Sequence, residues 1–62
     1  MDATQAKTAL RATCVEVKLP SGIEVTLDTM FDNELPRHAD ADAAFAHMDA
    51  ALRKLAETVG AG

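Results

Sequence analysis

The sequence predicts a small α+β domain: a two-stranded antiparallel β-hairpin over residues 13–28, followed by one amphipathic helix over residues 40–59. Three observations predict it. Two short runs alternate apolar with polar residues on either side of Pro20-Ser21-Gly22. A later stretch carries apolar residues at intervals of three and four. The whole chain is 62 residues, enough for a single domain and no more.

The first twelve residues read as a short frayed helix or a disordered tail. Carrying strand parity backwards would turn Arg11 inward and Leu10 outward, so the strand is expected to stop near Ala12 or to take a bulge. From Thr13 the pattern Cys14-Val15-Glu16-Val17-Lys18-Leu19, and then Ile23-Glu24-Val25-Thr26-Leu27-Asp28, has the period of two expected of half-buried strands. Proline suits the second position of a type I turn, and Gly22 suits a left-handed residue after it, which gives a three-residue hairpin loop. That register sets Leu19 opposite Ile23, Val17 opposite Val25 and Val15 opposite Leu27 on one apolar face. On the other face it sets Lys18 opposite Glu24 and Cys14 opposite Asp28.

Thr29 to Ala39 reads as a loop, because Pro36 disfavours a helix through Leu35 and Asp32-Asn33 suits a turn. Met30, Phe31 and Leu35 are expected to plug one end of the core. The final helix carries the stripe Phe45, Met48, Leu52, Leu55 and Val59. Asp40 is its expected N-cap, Asp42 favours the first turn, and Gly60 fits the position beyond the last. The stripe is expected to lie across the hairpin as core, with its edge left over for a second subunit. As a coiled-coil seam it is short, covering under three heptads where such a seam needs about three to four.

Composition narrows the function classes. The hydrophobic share is 48 %, but thirteen of those residues are alanines, which bury little each. Small chains bury a lower fraction of their surface than large ones. A single cysteine excludes an internal disulfide, so completion by oligomerisation, with a dimer favoured, is the expected remedy. Ten acids against six bases give a net charge of −4, which argues against nucleic acid as a partner. No apolar run is long enough to span a bilayer and no signal segment is evident, so the expected location is cytoplasmic.

Chemistry-bearing motifs are few. His38, Asp40, Asp42 and His47 form the one metal-capable group, but the two aspartates are explained as cap and dipole partners, and His47 lies five residues past Asp42. No metal and no cofactor is therefore expected. Cys14 beside Asp28 lacks the positive surroundings of a reactive thiol, Ser21 sits in a turn, and no glycine-rich phosphate loop exists. The chain is expected not to be an enzyme. The expected role is a protein-binding module, a small acidic homo-oligomer acting as inhibitor or adaptor, of the kind encoded by phages or mobile elements. Its partner-binding residues would be Glu16, Lys18, Glu24 and Asp28 on the hairpin's polar face, with Met30 and Phe31 beyond it, and its partner a basic protein. The alternatives are a small DNA-binding transcriptional regulator or an assembly subunit.

Overall fold

The computed structural model describes residues 1–60 and contains three α-helices: α1 (Ala3–Glu16), α2 (Ile23–Glu34) and α3 (Ala41–Gly60). A 3₁₀ turn, Leu35–Arg37, joins α2 to the short link before α3. Among the described residues there is no strand, so the expected hairpin over 13–28 is replaced by the end of α1, a connector and the first half of α2. The α+β class is thereby corrected to all-α.

Each helix has a local cause. At the start of α1 the Asp2 side chain accepts the Gln5 N–H at 2.8 Å, and the Gln5 side chain accepts the Asp2 N–H at 3.0 Å. This reciprocal capping box fixes the first turn. Ala6, Leu10 and Cys14 then recur every four residues on the buried face, with Thr13 beside them. The helix ends in a Schellman motif: Lys18 N–H donates to the Val15 carbonyl at 3.2 Å and Leu19 N–H to the Cys14 carbonyl at 2.9 Å. Lys18 occupies the left-handed position that glycine usually takes, at φ 59°. Pro20-Ser21-Gly22 is thus a helix-to-helix connector, and the i-to-i+3 bonds from Ile23, Glu24 and Val25 N–H open α2.

Within α2 the apolar spacing is again four. Leu27 and Phe31 are fully buried, with Ile23 and Leu35 packed against them. Pro36 ends the α-helix, but Leu35 keeps helical dihedrals as the chain tightens into the 3₁₀ turn. The helix expected over 40–59 is α3. Its Asp40 side chain accepts the Ala43 N–H at 2.8 Å, and Gly60 is its last residue where a position just beyond it was expected.

The chain runs up, down and up. Lys7 pairs with Asp32 at 2.8 Å and Arg11 pairs with Asp28, which sets α1 antiparallel to α2. Thr13 meets Asp49 and Glu16 meets Arg53, which sets α1 parallel to α3. The core between the three is Ala6, Leu10, Cys14, Leu27, Phe31, Ala44, Met48 and Leu52. Helices of 14 and 12 residues are about 21 and 18 Å long, whereas the 20 residues of α3 make about 30 Å. The C-terminal end of α3 therefore outruns its own bundle. Among the described residues no helix is long and apolar enough to cross a membrane.

Candidate functional site

An open apolar surface leads up to the overhang. A groove of about 340 Å³ runs between α2 and α3, with Met30, Asn33 and Glu34 on one wall. The other wall presents His47, Met48, Ala51, Leu52 and Leu55, the residues that share one side of a helix at steps of three and four. Ala51 is small, which opens the groove. Leu55 is 41 % exposed, Met30 48 % and Val59 51 %, whereas Met48 and Leu52 at the floor are almost fully buried. The stripe expected as core is thus divided. Met48 and Leu52 are core, Phe45 is packed against it, and Leu55 and Val59 continue the stripe into solvent.

A second recess, between α1 and α3, holds a chain of polar contacts beside Ala9, Ala12 and Phe45. The buried Thr13 hydroxyl donates to Asp49 Oδ1 at 2.8 Å, and Arg53 Nε donates to Asp49 Oδ2 at 3.0 Å. Arg53 Nη2 also lies 2.8 Å from Glu16 Oε2, so its second partner is across the bundle on α1. Burial pushes the Asp49 carboxyl upward, but the Thr13 hydroxyl and the Arg53 guanidinium outweigh it and hold it below the usual carboxylate range. Asp49 and Glu16 in turn raise the Arg53 pKa. Each polar group here is matched to another, which suits a bolt between helices better than a ligand site.

The residues expected on one polar face are spread over α1, the connector and α2. Glu16 ends α1 against Arg53, Lys18 closes the Schellman motif, Glu24 lies exposed in the first turn of α2, and Asp28 pairs with Arg11. Of the two loop residues, both belong to α2: Met30 borders the groove and Phe31 is fully buried. Cys14, expected on a polar strand face, is 1 % exposed in the core. Burial, and to a lesser degree Glu24, raises its thiol pKa, which disfavours the reactive thiolate.

The metal-capable residues are also regrouped. Asp40 caps α3 and Asp42 meets the Met1 amino group at 2.7 Å, so neither approaches the histidines as a ligand. Instead His38 Nε2 lies 3.5 Å and His47 Nε2 3.3 Å from Glu34 Oε1. The two imidazole centroids are 5.1 Å apart. Counting along the chain missed this group because Glu34 and His47 meet only across the α2–α3 turn. The available signal was Glu34 and His38 four apart, the spacing of neighbours on one helix face. No protein family, curated protein or solved structure matches this chain.

Proposed function

We propose that this chain is a non-enzymatic protein-interaction module that works in the cytoplasm as a homodimer, in the manner of a small inhibitor or adaptor. One observation carries the reading: the apolar stripe of α3 runs past the end of the helices that bury it. Leu55 and Val59 share the stripe's face and stand uncovered beside the groove floored by Met48 and Leu52.

A second copy is the occupant this surface suits. Projecting apolar side chains and an apolar groove lie side by side on one face. A two-fold axis across that face sets Leu55 and Val59 of each copy into the groove of the other, with Ala51 allowing close approach. Such an interface buries the same residues twice and needs no other partner chemistry. It also supplies the burial that a chain of 62 residues lacks alone.

Sedimentation at micromolar concentration tests it. The wild-type chain should sediment as a dimer, and Leu55→Asp should sediment as a monomer with unchanged helical circular dichroism. A monomeric wild type would refute the reading. An unfolded Leu55→Asp would show instead that this residue belongs to the core.

A further inference from the structure

The way the chain leaves α2 gathers three ligand-type side chains at one point. Glu34 is the last residue of α2, the 3₁₀ turn sets His38 directly after it in space, and α3 returns to place His47 beside both. One ligand atom from each residue lies within 4.8 Å of those of the other two.

The separations fit an ion better than they fit hydrogen bonds. At 3.5 and 3.3 Å, the contacts from His38 Nε2 and His47 Nε2 to Glu34 Oε1 exceed the roughly 2.7–3.2 Å of N–H···O bonds. A tetrahedral zinc ion with bonds of about 2.0–2.1 Å has ligand-to-ligand edges of about 3.3–3.4 Å. Two edges of that tetrahedron are therefore already set. The third, between the imidazoles, closes by rotation of His47, the most exposed side chain of the three at 57 %. In addition, His38 Nε2 is buried and has no hydrogen-bond partner among the described residues. A buried nitrogen in that condition is unfavourable unless something binds it.

We propose that Glu34, His38 and His47 form a site for a divalent metal of the zinc class, three protein ligands leaving the fourth position to water. Two imidazole nitrogens and one carboxylate oxygen are borderline donors that suit zinc, cobalt and nickel. Magnesium and calcium take oxygen-rich shells of six or more. Glu34 and His38 are mostly buried and preformed, while His47 is the ligand that an arriving ion engages last. The bound ion joins the end of α2 to the second turn of α3, so it staples the bundle at one end of the groove. Metal binding of this kind adds directly to folding stability. The site lies within one chain, so it does not depend on the dimer.

The test uses the full chain, titrated with zinc by calorimetry and followed by thermal melting, with cobalt as a visible-absorption probe of tetrahedral geometry. One ion per chain should bind, and zinc at a hundred times its Kd should shift the folding equilibrium about a hundredfold. His47→Ala and Glu34→Gln should keep the metal-free melting temperature nearly unchanged and lose the zinc-dependent rise. His47 is exposed on a helix, so its alanine variant keeps the fold. Absence of saturable zinc binding would overturn the proposal, and so would zinc binding that survives both substitutions. Stabilisation by calcium equal to that by zinc would overturn the assigned donor set.

Discussion

The α1 side of the bundle and the α2–α3 side are built from similar residues and put to different ends. Against α1 the apolar side chains disappear: Leu10, Leu27 and Phe31 are completely buried and Cys14 nearly so. Polar bolts seal that side, with Lys7–Asp32 and Arg11–Asp28 toward α2 and the Thr13–Asp49–Arg53–Glu16 chain toward α3. On the other side Met30 and Leu55 stand about half exposed along a groove, and Val59 is half exposed beyond it. The difference is one of reach, since α1 covers only the first part of α3. Apolar character alone does not say whether a side chain is buried, since Val15 on α1 and Val25 on α2 are exposed as well.

Breaking the closed side should have the largest effect. Phe31→Ala removes a fully buried ring and should cost about 3–5 kcal/mol, enough to unfold so small a domain at ambient temperature. Loss of helical circular dichroism is the readout.

The polar bolts should matter less and depend on pH. Asp49 is held below the usual carboxylate range in the folded state, so it binds a proton less readily there than in the unfolded chain. Its stabilisation is full above the unfolded value, near pH 4, and is lost as pH falls through the lower folded value. Asp49→Asn should cost about 1–2 kcal/mol at neutral pH and flatten the decline in melting temperature below about pH 4. An unchanged acid profile would show that the bolt contributes nothing.

How far these regions were legible differs for physical reasons. The stripe of α3 spans 15 residues from Phe45 to Val59, long enough for a helical period to show, and Asp40 announces its start. The two runs taken for strands are six and seven residues long, and over such windows periods of 2 and 3.6 overlap. Val15 and Val25 completed the apparent alternation, yet both are exposed and bury little. Extending the window resolves the conflict, because Ala6, Leu10 and Cys14 recur at four, as do Ile23, Leu27, Phe31 and Leu35. Asp2 with Gln5 was a further helix signal at the level of sequence. The acidic face was a consequence of the hairpin and dispersed with it. The Glu34–His38–His47 group depends on how α3 folds back on α2, which no local pattern encodes.

Smaller substitutions sharpen the comparison. Lys18→Gly relieves a non-glycine residue at φ 59° and should raise stability by about 0.5–1 kcal/mol, seen as a higher melting temperature. A lower melting temperature would mean that the lysine side chain offsets its own backbone strain. Leu55→Ala on the open side should change the stability of the isolated chain by no more than about 0.5 kcal/mol while weakening self-association. A loss comparable with that of Phe31→Ala would erase the distinction between the two sides.

A dilution series of amide spectra tests the central claim most directly, because it reports every backbone position at once. The account predicts concentration-dependent shifts at Met30, Ala51, Leu55 and Val59 and their neighbours, with the amides of Ala6, Leu10 and Thr13 unmoved. Spectra independent of concentration, or shifts spread evenly over α1, would contradict it.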